Sequence, residues 1–521
     1  MAKMADEIAQ VLRAHGVSRI FGIPGGGSSL DLIDAADKAG IPFIVTRTEA
    51  AATIMAAVTG ELSAKPGAVL VGVGPGASSA TNGLAYASLE RSPMALFIDG
   101  PATSLHQHFD QQAMYRSITL GTAQLVPETG AATLSALLTK ATSAPEGPVM
   151  VEMTAGDAAS PATPFNAPSD PSEPLLDAAA IDAARKTIST CRRPLMIVGL
   201  EARAHSDAVR AFADQIGAAV MTTYKAGGVV DRDHPGFIGP ITGASGEMAI
   251  IEQADLVIGV GFDLIEFIPG AWPDTAPPVV MLNEALRANP RVPFMLSLTG
   301  PLDVLMEGVA PEQACNGWDT HALDPLKEII QTIYQDDSAG FSCADAVDVL
   351  TETLDHDTRI TVDAGAHMFA TIGKWPARQP FGILKSNGLS TMGYAVPAAI
   401  ASALENPETP VVAVTGDGGM SMCIAELATA IEQNLNIKIC VINDSALSLI
   451  DVKQQRQQRP SRGVRYPTHN YADIAKAYGW QASIATSPDE LKSALQTSGP
   501  SLIDIRIDPA SYGEDLERLR G

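Results

Sequence analysis

The sequence predicts an α/β protein built from three doubly wound parallel-sheet domains. Three observations support this. The chain has 521 residues, enough for roughly two to four domains. Short, wholly apolar runs alternate with helical segments along most of its length. A strand that is apolar on both faces belongs in a parallel sheet covered by helices on both sides. Finally, Ser160 to Pro174 (SPATPFNAPSDPSEP) has the Pro- and Ser-rich composition of a linker.

The first domain is expected at residues 1–160. A helix from Ala5 to His15 ends at Gly16, strand Arg19–Ile23 follows, and the glycine turn Pro24–Gly27 leads into a helix through Leu30, Ile33 and Asp34. Further strands are expected at Phe43–Thr46, Ala68–Gly72, Met94–Ile98 and Val149–Met153. The second domain, 178–325, carries strands Leu195–Val198, Ala219–Thr222, Leu256–Val260 and Val279–Leu282. The third, 340–521, carries Arg359–Val362, Val411–Thr415, Lys438–Ile442 and Ser501–Ile505.

Composition narrows the class. A formal charge of −24 argues against a nucleic-acid or anionic-membrane partner, because like charges repel. Five scattered cysteines without a C-x-x-C pair argue against a disulfide framework or a structural zinc. The opening MAKMADEIAQ puts Asp6 and Glu7 where an export signal needs apolar residues, and Gly and Pro interrupt every apolar stretch before membrane-span length. A soluble, cytoplasmic protein is expected.

The chemistry concentrates in the third domain. Strand Val411–Thr415 runs into Gly416-Asp417-Gly418-Gly419, and a helix is expected next, burying Ile424, Leu427, Ala428 and Ile431 on one face. Strand Lys438–Ile442 then delivers Asn443-Asp444, so that Asp444 follows Asp417 by 27 residues, one strand–helix–strand excursion. Two acids thus stand at the C-terminal edge of a parallel sheet, where such sheets bind ligands. Oxygen ligands beside glycines that admit phosphate suit a hard Mg²⁺ holding a diphosphate.

This segment resembles the thiamine diphosphate motif, which begins Gly-Asp-Gly and ends in an Asn pair. The chain is similar to the acetolactate synthase, benzoylformate decarboxylase and pyruvate decarboxylase family, most of all to acetolactate synthases. The resemblance implies that Asp417, Asp444 and the carbonyl of Ala446 ligate Mg²⁺, with Gly418, Gly419, Leu447 and Ser448 around the diphosphate. Asp444 departs from the commoner Asn and adds one negative charge. Ser386–Ala398 (SNGLSTMGYAVPA) resembles the stretch behind the cofactor, where Met392 would wedge between its two rings and the carbonyl of Ser390 would accept from the 4′-amino group. Val362–Phe369 (VDAGAHMF) resembles the loop that helps cradle the diphosphate and carries His367, which a loop role would explain equally well.

Phe21–Gly27 (FGIPGGG) and Thr46–Ala52 (TRTEAAA) resemble the family's pyrimidine-binding domain. The three domains would then be pyrimidine-binding, central Rossmann-like and diphosphate-binding. Glu49 would bond N1′ of the aminopyrimidine and drive formation of the thiazolium carbanion, and Gly26 is a candidate catalytic position in the glycine turn. The outer two domains would meet across the cofactor between subunits, as a homodimer or homotetramer.

The implied reaction decarboxylates a 2-oxo acid and ligates the remainder to a carbonyl acceptor; alternatives are simple decarboxylation, a flavin-dependent oxidase or a catalytically silent relative. Gln112, in Phe109-Asp-Gln-Gln-Ala, matches the Gln that acetolactate synthases carry in place of a His pair; His106 and His108 flank Gln107 and do not form that pair. Thr154-Ala155-Gly156 stands where those synthases carry a Lys, and Leu264-Ile265-Glu266 where they carry an Arg, so two pyruvates are not the expected pair of substrates. Gly259-Val-Gly261 is a weak dinucleotide signal, which makes FAD a lesser expectation.

Overall fold

The computed structural model describes residues 2–100, 106–107, 109–166, 176–241, 245–266, 272, 275–285, 292–315, 317–318, 321–333, 340–514 and 517. Its strands form three six-stranded sheets, each wholly parallel. The first holds β1 (Ile20–Ile23), β2 (Phe43–Val45), β3 (Gly67–Val71), β4 (Met94–Asp99), β5 (Gly121–Gln124) and β6 (Pro148–Met153). The second holds β7 (Pro194–Val198), β8 (Ala219–Thr222), β9 (Phe237–Pro240), β10 (Leu256–Val260), β11 (Val279–Asn283) and β12 (Leu296–Thr299). The third holds β13 (Arg359–Val362), β14 (Ile383–Lys385), β15 (Val411–Gly416), β16 (Ile437–Asn443), β17 (Gln481–Ala485) and β18 (Ser501–Arg506).

The first and third sheets share one order, β2-β1-β3-β4-β6-β5 and β14-β13-β15-β16-β18-β17. The second, β12-β11-β10-β7-β8-β9, has the order of dinucleotide-binding folds. Interior strands such as β3, β4, β7 and β10 are buried along their whole length, because parallel sheets carry helices on both faces.

Each of the thirteen strands expected from the sequence forms within one residue of its expected bounds. The expected linker differs. Over 160–166 it packs back on the first domain: Ala162 N–H donates to the carbonyl of Ala2 (3.1 Å) and Phe165 N–H to Glu7 (2.7 Å). The rest of that stretch lies outside the described residues. The helix expected after Gly419 is in fact two, Asp417–Cys423 and Glu426–Glu432. The break re-aims the buried face to Glu426, Leu427, Thr429 and Ala430, leaving Ile424, Ala428 and Ile431 half-buried. All five cysteines are free, but the fold brings Cys191 and Cys315 together, Sγ to Sγ 3.0 Å.

The outer domains dock directly on each other. Helix Glu49–Ser63 packs on helix Ala395–Glu405, both rich in alanine, and small side chains let the helices lie close. Arg19 pairs with Glu405 (2.6 Å), and buried Glu426 accepts from the backbone N–H groups of Arg47 (3.1 Å) and Thr48 (3.0 Å). The central domain joins through a buried charge cluster. Fully buried Lys225 sits 2.9 Å from both Glu61 and Glu90, and Arg203 pairs with Glu61. Burial alone would raise the Glu61 carboxyl, but Lys225 and Arg203 hold it down at about 2.

Glu266 lies at the rim of this cluster, accepting from Leu200 N–H (2.8 Å) and Thr223 Oγ1 (2.7 Å). Burial pushes its carboxyl up to about 8. The folded protein therefore holds a proton that the unfolded chain releases near 4.5. The stability this proton contributes is complete below that value and is lost as pH rises through about 8. We predict that the melting temperature of Glu266→Gln falls less steeply than that of the wild type between pH 5.5 and 8.5. Parallel slopes would show that Glu266 is ionised in the fold.

Candidate active site

Parallel sheets bind ligands where the strand order reverses, and in the third sheet that point lies between β13 and β15. Three chain segments leave the sheet there. Asp363–Ala366 leads into helix His367–Lys374, Gly416 into helix Asp417–Cys423, and Asp444–Leu447 into helix Ser448–Arg456. With Asn387–Met392 they line an open cavity of about 760 Å³.

Asp417 and Asp444 mark one end. Asp417 Oδ1 accepts from Gly418 N–H (2.7 Å) and Tyr466 Oη (2.8 Å), and its Oδ2 from Ser445 N–H (2.7 Å). Asp444 accepts from Ala446 N–H (3.0 Å) and Ser448 Oγ (2.8 Å). A left-handed Ser445, φ +63°, makes this tight turn possible. Burial raises the Asp417 carboxyl, and burial followed by the neighbouring Asp417 charge lifts Asp444 to about 7. A buried carboxylate and a half-buried one that resist sharing negative charge attract a cation. No group of three or more His, Cys, Asp or Glu side chains forms a metal cluster among the described residues, so a hard cation here needs carbonyl or ligand oxygens as well.

His367 opens its helix, and its buried Nε2 has no hydrogen-bond partner. Burial lowers the imidazole to about 4, so the ring is neutral at pH 7. An orphaned polar atom in a buried ring calls for a partner, and a cavity-bound anion could supply it. Gly418 lets Met392 close over this end: a Cβ there would lie 3.2 Å from Met392 Cε and 2.8 Å from Leu447 Cδ2. Exposed Ser390 is held left-handed, φ +54°, with its Oγ donating to the Asn387 carbonyl (3.2 Å). Asp363, unnoticed in the sequence, fixes this loop by accepting from Gly393 N–H (3.0 Å) and Thr415 Oγ1 (2.9 Å). A buried imidazole able to donate from Nε2, the glycine cradle and the carboxylate pair together fit a diphosphate with its cation.

Residues 363–505 match the family described as thiamine pyrophosphate enzyme, C-terminal TPP binding domain; 2–119 match its N-terminal TPP binding domain and 181–291 its central domain. The chain belongs to the thiamine pyrophosphate enzymes. It is 27% identical to acetolactate synthase of Bacillus subtilis (strain 168), covering 97% of this chain and 93% of that protein. It is 27% identical to the catabolic acetolactate synthase of Raoultella terrigena, covering 97% and 95%. Acetolactate synthase isozyme 2 large subunit of Escherichia coli (strain K12) is 25% identical over 99% of both.

In this thiamine pyrophosphate enzyme the fold gathers His367, Ser390, Met392, Asp417, Gly418, Gly419, Asp444, Ala446, Leu447 and Ser448 around one cavity. It also adds Lys453, Arg456 and Tyr512, which no motif had flagged, and Ile265, which stands where the resemblance expects an Arg. Glu49, Gly26 and Gln112 are not among the lining residues. Glu49 is half-buried at the first turn of its helix, after the Thr48 cap, with Oε1 against Gly76. Gln112 is engaged elsewhere: its Nε2 donates to Glu152 (2.6 Å) and its Oε1 accepts from Thr122 (3.4 Å). Gln107, by contrast, is exposed at φ +59° and abuts Gly74, which begins the turn leading to Gly76 and Glu49. His106 is exposed, and His108 lies outside the described residues.

The Gly259-Val-Gly261 signal has a packing explanation. A Cβ on Gly261 would lie 2.5 Å from Ala202 N, and one on Gly259 2.5 Å from Met281 Sδ. Buried Glu201 stands at the same edge, accepting from Glu284 N–H (3.0 Å). A carboxylate there would oppose a dinucleotide phosphate.

The first sheet has its own crevice, and there Asp99 fills it. Asp99 accepts from Gly27 N–H (3.2 Å), Ser29 N–H (2.7 Å) and the hydroxyls of Ser28 (2.8 Å) and Ser29 (2.7 Å). A Cβ on Gly25 would fall 2.0 Å from Asp99 Oδ2, whereas Gly26 has nothing within 4 Å. Gly25→Ala should therefore lower stability by about 1–3 kcal/mol through overpacking, while Gly26→Ala should leave the thermal midpoint where it is. Equal melting curves for the two variants would contradict this division.

Proposed function

We propose that this chain is a thiamine diphosphate- and Mg²⁺-dependent enzyme that decarboxylates a 2-oxo acid and passes the remaining fragment to a carbonyl acceptor, as an acetolactate synthase-like carboligase. The observation that carries this is that buried Asp417, half-buried Asp444 and His367, whose Nε2 is unpartnered, line one switch-point cavity. When bound, thiamine diphosphate supplies a carbon nucleophile that can take up the acyl carbon and hold the electron pair left by CO₂.

The residues divide the remaining work. Asp417, Asp444 and the Ala446 carbonyl would hold Mg²⁺, and His367 and the first turn of helix Ser448–Arg456 would receive phosphate oxygens. Met392 would support the cofactor's bent shape, with the Ser390 carbonyl accepting from the 4′-amino group. Glu49 would hold the proton at N1′ of the aminopyrimidine, working in the cavity of a second copy because it lies outside its own. Met422 (59% exposed), Leu30 (57%) and Ile450 (43%) are large apolar side chains that such a homodimer could cover. Gln107 is a better placed partner for substrate than Gln112, whose amide is already satisfied. An amide cannot act as a general acid near neutral pH, which favours ligation over aldehyde release.

Two measurements test the proposal. A proton on Asp444 competes with the cation, so Mg²⁺ affinity by calorimetry should rise about tenfold per pH unit below pH 7 and level off above it. Asp444→Asn should flatten that profile; a flat wild-type profile from pH 5.5 to 8 would remove Asp444 from the cation site. Separately, the protein with thiamine diphosphate and Mg²⁺ should release CO₂ from at least one 2-oxo acid in a panel, with products identified by mass spectrometry. Glu49→Gln should slow this by about 10²–10⁴-fold. Gln107→Ala should change the ratio of ligated to free product and Gln112→Ala should not. No CO₂ from any acid would refute the proposal.

A further inference from the structure

Among the described residues, Lys453 and Arg456 are the only lysine and arginine lining the cavity, in a chain of net charge −24. They stand three residues apart on helix Ser448–Arg456 and so share a face. At 1.5 Å per residue, they lie about 7.5 and 12 Å along the axis from Ser448, away from the Asp417–Asp444 end. Leu449, Ile450 and Ile265 supply apolar wall to the same cavity. The cavity is therefore polarised, with carboxylates at one end and cations along the opposite stretch of wall.

Neither cation is neutralised by its neighbours. Asp451, on the same helix, is buried and bound by Arg465 (2.8 Å) and Ser461. Among the described residues neither Lys453 nor Arg456 forms an ion pair. Arg456 is oriented by one bond, Nη2 to the Gly513 carbonyl (3.0 Å), on the segment whose Tyr512 also lines the cavity.

Such cations would be misused on the carboxylate that leaves as CO₂. Holding its charge would stabilise the substrate more than the transition state, in which that charge is dispersing. They suit a charge that is retained throughout the reaction. We infer that Lys453 and Arg456 form an anion subsite for a second, distal acidic group, so that this enzyme's preferred substrate is a 2-oxo acid carrying an ω-carboxylate or ω-sulfonate. This rests on reading the cavity as a thiamine diphosphate site for 2-oxo acids.

The test uses the full chain with thiamine diphosphate and Mg²⁺, and measures CO₂ release from pyruvate, 2-oxobutyrate, 2-oxoglutarate and 3-sulfopyruvate. At least one dianionic acid should exceed both monoanionic acids by tenfold or more in kcat/KM, mainly through KM, and the margin should shrink with added salt. Lys453→Met and Arg456→Met should each cut the dianion-to-monoanion ratio by about ten- to a hundredfold. Calorimetry of thiamine diphosphate binding to the same variants separates the competing role: if the loss falls on cofactor affinity and the substrate ratio holds, the cations serve the diphosphate and the inference is overturned. CO₂ from monoanionic acids alone overturns the inference while leaving the proposed function standing. CO₂ from none of the four, with no calorimetric binding of 2-oxoglutarate, removes both.

Discussion

The arrangement depends on one carboxylate, Glu426, seated on the first turn of a helix that belongs to another domain. Glu426 accepts from the N–H groups of Arg47 and Thr48 and from Thr429 Oγ1 (2.7 Å). Burial raises its carboxyl, and these donors oppose that rise. A negative charge at a helix N-terminus meets unsatisfied N–H groups and the positive end of the helix dipole, so the contact fixes where helix Glu49–Ser63 begins. It thereby fixes Glu49 relative to the third sheet of its own chain, outside that chain's cavity. A rigid intrachain dock that holds Glu49 away from its own cavity is the physical reason to look to a second copy.

The first and third domains share a strand order but not the use of their crevices. In the first, Asp99 reaches from the end of β4 and satisfies the donors around the glycine turn with the chain's own charge. In the third, acids stand at the ends of β15 and β16 with no ion pair to a lysine or arginine among the described residues, and His367 Nε2 is left unpartnered. One crevice is thus complete as folded, and the other becomes complete only with a ligand.

Much of this was legible in the sequence because burial on both faces writes a continuous apolar run. β5, β9, β12, β14 and β17 escaped notice, and all five are edge strands. β5, β12 and β17 are only partly buried, so their residues need not be apolar, and β14 is three residues long. The third-domain site residues were legible because their chemistry is packed into a few consecutive positions after each strand. Asp363, Lys453 and Arg456 were not, since each is meaningful only through what folding sets beside it. Gln107, Gln111 and Gln112 show the same limit within one segment: the sequence offers three amides, and only the hydrogen bonds of Gln111 to Glu152 and Gly74 and of Gln112 to Glu152 and Thr122 reveal which are spoken for.

The buried cluster of Lys225, Glu61, Glu90 and Arg203 is a poor candidate for net stabilisation, since desolvating such charges costs about as much as pairing them returns. Its geometry suggests what it does instead. Glu90 also accepts from Gly388 N–H (2.6 Å), and Asn387 Nδ2 donates to the Glu266 carbonyl (3.1 Å). On the other side Thr391 exchanges hydrogen bonds with Asn82. The segment carrying Ser390 and Met392 is therefore held by the first domain through Glu90 and Asn82, by the central domain through Glu266, and by its own sheet through Asp363. Four directed attachments on so short a loop leave it little freedom, which is what a cavity wall needs if its shape is to be set before any ligand arrives.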